Sequence, residues 1–153
     1  ALADIPNAYL WIAGDGPLDP ALRAETHIHG VSDRVRFLGW RNDIPELLAT
    51  AELLVCPSRH EPLGNVVIEG WAHGVPVVAT NSDGPRSLIQ DEETGLLVPI
   101  DDADALSRSV NRLINLPEFA AELASAGYRA YQTTYTEDIV VQQYQAFFEK
   151  VIP

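Results

Sequence analysis

Short runs of apolar residues alternate with longer amphipathic segments along the first two thirds of the chain. The runs are rich in β-branched or aromatic side chains and are bounded by Gly, Pro, Asp or Ser. Such runs are typical of strands that are buried on both faces of a sheet. The pattern predicts five strands, at residues 9–13, 35–38, 53–56, 76–79 and 96–98.

The segments between these strands predict helices at residues 19–29, 43–51, 65–73 and 84–90. Alternating strands and helices indicate an α/β fold with a doubly wound parallel sheet, covered by helices on both faces. The last third of the chain has no strand pattern and predicts additional C-terminal helices at residues 102–116, 117–131 and 136–151. Since no repeat or linker interrupts the pattern, residues 1–153 are predicted to form a single domain.

The start of the chain is typical of the middle of a domain. Residues 1–4 resemble the end of a helix, Pro6 and Asn7 form a turn signal, and a strand follows at once. The sequence also contains no methionine. We therefore expect that the first strand and helix of this domain precede Ala1. A short disordered leader on a complete domain is the alternative interpretation.

Composition and charge narrow the class of protein. An apolar content of 46% suits a globular domain with a core. Ten Lys and Arg residues against 22 Asp and Glu residues give a net charge of −12, so we expect no nucleic-acid partner. No run approaches the ~18 apolar residues of a membrane span, so no membrane insertion is expected. The single cysteine, Cys56, fits a reducing compartment, and we expect a cytoplasmic location.

The loop and helix start after the third predicted strand carry the most informative chemistry. Gly64 has no side chain to cover the free N–H groups of Asn65, Val66 and Val67 at the start of the next helix. Those donors, together with the helix dipole, favour binding of a phosphate or another anion. Taken singly, a glycine at a helix start is usually only a turn residue.

Two acidic residues flank this predicted anion site. Glu69 lies four residues after Asn65, one turn along the same helical face, where it could accept hydrogen bonds from ribose hydroxyls. Glu61 precedes the helix and could bind hydroxyl groups on the other side of a diphosphate. A sugar linked through a diphosphate to a nucleoside has the chemistry that this arrangement fits.

Other motifs have simpler interpretations. The segment Gly14–Pro17 is a tight turn rather than a dinucleotide fingerprint, because Pro17 and Asp19 interrupt the glycine spacing, and this disfavours a redox Rossmann domain. The four histidines and Cys56 do not form a metal-binding pattern, and no metal is expected.

The segment from Glu61 to Ala79 resembles the C-terminal half of retaining glycosyltransferases with the GT-B fold, glycosyltransferase family 4. Their signature has two glutamates separated by seven residues, here Glu61 and Glu69, followed by a small-residue helix and a Gly-x-Pro-Val-Val-Ala segment, here residues 74–79. The flanking segments 12–17, 35–39 and 94–99 match the family in order, so the resemblance covers nearly the whole chain.

This resemblance implies a role for each candidate residue. Glu61 is expected to position the donor sugar, and Glu69 is expected to bind the ribose. The diphosphate is expected to bind the backbone amides of Gly64, Asn65 and Val66. The base is expected to lie against Trp40 and Arg41, in a loop that varies within the family.

The resemblance further implies a Rossmann-like half of a GT-B enzyme that binds a nucleotide-sugar donor and needs neither cofactor nor metal. Its partner is an N-terminal acceptor-binding domain of the same full-length chain, through which the enzyme is peripheral to the inner membrane. The family's Arg and Lys that neutralise the diphosphate have no counterpart in this chain, and Arg59 and His60 are not full substitutes. The isolated chain is therefore expected to be inactive.

Several alternatives stay open at the level of sequence. The product class implied by the resemblance is an envelope polysaccharide or lipopolysaccharide, while the base, sugar and acceptor are not specified. A GT-B-like nucleotide-sugar epimerase and a non-catalytic nucleotide-binding module are the alternative functions. A phosphorylase would need a lysine-held pyridoxal phosphate, and the only lysine is Lys150. The helix at 136–151 either covers this domain or crosses to the partner domain.

Overall fold

The computed structural model describes residues 2–151, in which the predicted strands and helices are all present. The strands are β1 (Leu10–Ala13), β2 (Val35–Gly39), β3 (Leu54–Cys56), β4 (Val77–Thr80) and β5 (Leu96–Val98). The helices are α1 (Asp19–Ile28), α2 (Ile44–Thr50), α3 (Asn65–Ala72), α4 (Asp83–Leu88), α5 (Ala103–Asn115), α6 (Pro117–Thr134) and α7 (Glu137–Val151). The helix end expected at residues 1–4 is a 3₁₀ turn at Leu2–Asp4, and Ala1 lies outside the described residues.

All the strand pairs are parallel, as predicted, but they form two sheets. β1 pairs with β2, while β4 lies between β3 and β5. Within residues 2–151 no strand pairing joins the two sheets, so β1 and β3 each have only one partner strand there. Because parallel strands end at the same edge of a sheet, the loops that follow β3, β4 and β5 lie on one side of the domain.

Strand β4 is the central strand of the larger sheet, and apolar side chains cover both of its faces. Val78 packs on one face with Leu96 and Val98, against residues of α5 and α6. Val77 and Ala79 point to the opposite face and pack against residues of α3 and α6. Burial of a valine side chain contributes about 1.5–3 kcal/mol, and all four residues of β4 are buried. The loops at the carboxyl end of β4 therefore start from a strand that is packed on both faces.

Helix α3 is fixed closely to its neighbours at its C-terminal half. The Trp71 side chain is buried, and its Nε1–H donates to the carbonyl of Thr94 at 2.8 Å. Gly127 on α6 makes room for the indole, because a Cβ atom there would lie 2.3 Å from Trp71 Cδ1. Gly70 lets α3 approach β3, since its Cβ would lie 2.7 Å from Leu54 Cδ2. These contacts fix the C-terminal half of α3 against α6 and β3.

Helix α7 packs on α6 mainly through its first turn, where Ile139 and Val140 are half-buried. Every described residue from Val141 onward is exposed, and Tyr144 stacks on Phe148 at a ring-centroid distance of 6.4 Å. The described residues therefore leave the apolar side of α7 uncovered. No helix within residues 2–151 has both the length and the apolar character to cross a bilayer.

Candidate functional site

The Glu61 loop (residues 57–64) connects β3 to α3 and lies at the carboxyl end of the larger sheet. It ends at Gly64, whose φ of 76° is in the left-handed region that favours glycine. Helix α3 starts at the next residue, and Gly64 is its N-cap. The chain can turn sharply into the helix there, and no Cβ atom covers the first helical amides.

Two backbone amides at the start of α3 have no hydrogen-bond partner among residues 2–151, those of Asn65 and Val66. The prediction was wrong for the third donor, because the amide of Val67 already donates to the carbonyl of Gly64 at 2.9 Å. Unpaired N–H groups at a helix start carry a partial positive charge and are suited to an anion. The predicted anion site therefore has two available donors in this structure.

Glu61 makes two hydrogen bonds that shape the loop. Its half-buried carboxylate accepts the N–H of Gly64 at 3.0 Å, and its backbone carbonyl accepts the N–H of Gly84 at 2.7 Å. The Gly64 amide, which was also predicted to bind a diphosphate, is thus paired with Glu61 in this structure. Binding of a diphosphate by Gly64 stays a prediction, and it requires that this hydrogen bond be exchanged.

Glu69 lies on α3 with an exposed side chain. Its carboxylate accepts no hydrogen bond from residues 2–151, while its backbone carbonyl accepts one from His73 Nδ1–H at 2.8 Å. Neither Glu69 nor Glu61 takes part in an ion pair between described residues. Both carboxylates are therefore available to accept hydrogen bonds from hydroxyl groups of a ligand, which is the chemistry predicted for them.

The predicted base loop follows β2 and belongs to the smaller sheet. Trp40 is 78% exposed, and its Nε1–H donates to Asn42 Oδ1 at 3.2 Å. Arg41 binds the carboxylate of Asp43 through two hydrogen bonds, one of 2.7 Å from Nε, and these lower the pKa of Asp43 and raise that of Arg41. Trp40 thus presents a free aromatic face for stacking, whereas Arg41 is already paired. The base-binding role of both residues stays a prediction.

Arg59 is the one Arg or Lys residue in the Glu61 loop, and it is already paired. Arg59 Nε donates to Asp101 Oδ1 at 2.5 Å, which ties the loop to the connection between β5 and α5. Exposed ion pairs of this kind contribute at most about 1 kcal/mol.

Within the described part of the chain, no three His, Cys, Asp or Glu side chains are grouped so that they could hold a metal ion.

The connection from β4 to α4 supports the Glu61 loop, which the sequence pattern does not indicate. The Thr80 hydroxyl donates to the carbonyl of Ser58, and the Gly84 amide donates to that of Glu61. The Asp83-Gly84-Pro85 sequence signals a turn, but nothing in its pattern indicates which loop it contacts. These contacts join residues about 20 positions apart, and they became apparent only in three dimensions.

The chain matches the family model described as Glycosyl transferases group 1 over residues 1–116. In sequence it is similar to the lipopolysaccharide core biosynthesis glycosyltransferase LpsE of Rhizobium meliloti (strain 1021), with 38% identity over 144 residues. That alignment covers 94% of this chain and 42% of the relative.

In structure, the chain is similar to Anabaena Alr3699/HepE in complex with UDP, with a TM-score of 0.90 and 26% identity. The match covers 95% of this chain and 42% of the Anabaena chain. It is also similar to sucrose-phosphate synthase from Thermosynechococcus elongatus, with a TM-score of 0.87 and 32% identity over 98% of this chain and 40% of that one. The chain therefore spans about four tenths of the length of each of these proteins.

Proposed function

Because the chain belongs to the Glycosyl transferases group 1 family, we propose that it is the donor-binding half of a retaining glycosyltransferase. The whole enzyme would transfer a sugar, of the hexose type, from a nucleoside-diphosphate sugar to an acceptor hydroxyl. The observation that carries this proposal is the pair of amides, of Asn65 and Val66, that have no partner among residues 2–151 and that lie between Glu61 and Glu69 along the chain. The UDP complex of the Anabaena protein supports a nucleotide-sugar donor.

Each part of the donor has a proposed place. The diphosphate binds the Asn65 and Val66 amides, with the Gly64 amide joining when Glu61 releases it. The ribose hydroxyls donate to Glu69, one helical turn away. The sugar hydroxyls donate to Glu61, and the base stacks on the exposed face of Trp40, beside the Arg41 pair.

The proposed chemistry places negative charge on the leaving diphosphate as the sugar becomes oxocarbenium-like. Amides that are already directed at the diphosphate stabilise that charge without reorganisation. Glu61 and Glu69 orient the donor, which removes part of the entropic barrier. The leaving phosphate accepts the proton of the acceptor hydroxyl on the same face of the sugar, so no general base, metal or cofactor is required of this chain.

We also propose that the rest of the enzyme completes the domain. A strand preceding Ala1 would fit between β1 and β3, each of which has only one partner strand within residues 2–151. The exposed apolar side of α7 suits contact with an N-terminal acceptor-binding domain. The name of the Rhizobium relative supports lipopolysaccharide or another envelope polysaccharide as the product. We further propose that the enzyme is cytoplasmic and, through its N-terminal domain, peripheral to the inner membrane.

Calorimetric titration of the 153-residue chain tests this proposal. UDP, GDP or ADP is expected to bind with a Kd on the order of 1 mM, a free energy of about −4 kcal/mol, because the family's Arg and Lys are not part of the chain. The same chain is expected to show no sugar transfer. Failure of all three nucleotides to bind, or sugar transfer by this chain alone, would contradict the proposal.

A further inference from the structure

Gly84 lies at the second position of α4 and touches the backbone of the Glu61 loop. Its N–H donates to the carbonyl of Glu61 at 2.7 Å. A Cβ atom on Gly84 would lie 2.4 Å from the nitrogen of Gly64 and 2.6 Å from the carbonyl oxygen of Glu61. It would also lie 2.7 Å from the carbonyl carbon of Leu63. All three contacts are with main-chain atoms, which cannot rotate away as a flexible side chain would.

Gly64, on the other side of this contact, also has no room for a side chain. A Cβ atom on Gly64 would lie 2.6 Å from Leu88 Cδ1 and 3.1 Å from the carbonyl carbon of Gly84. Both glycines are buried. Gly84 is not among the residues with positive φ, so alanine would be compatible with its backbone conformation. Position 84 therefore requires glycine because a side chain there would clash with the Glu61 loop, and not because of its backbone conformation.

The connection that carries Gly84 is itself held in place. The amide of Asn81 donates to the carbonyl of Val98 at 2.7 Å, which joins the connection to the end of β5. Thr80, at the end of β4, donates its hydroxyl to the carbonyl of Ser58. The start of the Glu61 loop is thus fixed by Thr80 and its end by Gly84, both on the same rigid connection.

We propose that Gly84 is a positioning residue for the nucleotide-sugar site. By direct backbone contact it sets the position of the Glu61 carboxylate and of the Asn65 and Val66 amides. This inference rests on the proposed function, because it assigns the contact a role in donor binding. A methyl group at position 84 displaces the loop and so moves the diphosphate donors and Glu61 together.

The test uses Gly84→Ala in the complete protein to which the chain belongs, with Gly95→Ala as the matched control. Gly95 is also buried, and its Cβ atom would lie 3.0 Å from the carbonyl oxygen of Val77, away from the Glu61 loop. At a temperature where both variants are folded, Gly84→Ala is expected to bind UDP more weakly and to bind uridine like the wild type. Its kcat/KM is expected to fall about 100-fold, the loss typical of a 1 Å misplacement, with kcat itself lowered. Gly95→Ala is expected to keep the wild-type values.

Wild-type kcat and UDP affinity in folded Gly84→Ala would overturn the inference, as would equal losses for UDP and uridine. If Gly84→Ala does not fold, Thr80→Val removes the hydroxyl bond to Ser58 and is expected to change UDP affinity and kcat in the same direction. A Thr80→Val enzyme that behaves like the wild type would then overturn the inference. Failure of the wild type to bind any nucleoside diphosphate would instead contradict the proposed function.

Discussion

Glu61→Gln is expected to lower kcat/KM for sugar transfer about 100-fold in the complete protein, with little change in affinity for the nucleotide alone. The glutamine oxygen can still accept the Gly64 N–H, so the loop keeps its shape. The substitution removes the negative charge that strengthens hydrogen bonds to the sugar and favours an oxocarbenium-like transition state. The loss should therefore appear in catalysis rather than in nucleotide binding.

Steady-state kinetics with the nucleotide sugar, and calorimetry with the nucleoside diphosphate, separate these two effects. Glu93→Gln is the matched control, since Glu93 is exposed and has no ion-pair partner among residues 2–151. Glu61→Ala is less informative, because it also removes the acceptor of the Gly64 amide. Full activity in Glu61→Gln would remove Glu61 from the donor site. A parallel loss of nucleotide affinity would mean that it acts mainly on the loop.

Glu69→Ala is expected to weaken binding of a nucleoside diphosphate by about 10- to 100-fold, the value of one or two hydrogen bonds to a charged group. Its carboxylate is exposed and has no ion-pair partner in the described range, so the substitution should leave the fold intact. Binding of inorganic pyrophosphate should be unchanged or slightly tighter, because pyrophosphate has no ribose and the like charge of Glu69 is removed.

Calorimetric titration of both ligands into the complete protein, as wild type and as Glu69→Ala, measures the difference directly. Glu93→Ala serves as the control for loss of one surface carboxylate and is expected to bind both ligands like the wild type. Equal losses for the nucleotide and for pyrophosphate would remove the ribose assignment and make Glu69 a general determinant of the site.

The secondary structure could be predicted because the buried positions of each strand and helix determine the pattern of apolar residues along the chain. The strand expected at residues 76–79 is Val77–Thr80, and its four buried residues explain why the apolar run was informative. The helix expected at 117–131 continues to Thr134, since neither glycine nor proline occurs at residues 132–134. The GT-B-type fold and the resemblance to glycosyltransferases are confirmed by the family match and by the structural neighbours.

The positions of the candidate site residues could be predicted from the sequence, but their hydrogen-bond partners could not. The motif placed Glu61, Gly64 and Glu69 on one loop and helix, because their spacing along the chain determines it. It gave no sign that the Gly64 amide is paired with Glu61, or that Arg41 is paired with Asp43. Those pairings depend on side-chain rotamers. The division of the strands into two sheets also escaped prediction, because strand order depends on contacts between distant segments.

The amides at the start of α3 are central to the proposed binding of the donor. A titration of the ¹⁵N-labelled chain with UDP, followed by amide NMR, observes them individually. We expect the Asn65 and Val66 resonances to shift most and to saturate with the calorimetric Kd, with Gly64 following as its bond to Glu61 is exchanged. Saturable UDP binding that leaves the Asn65 and Val66 amides unshifted would contradict the account.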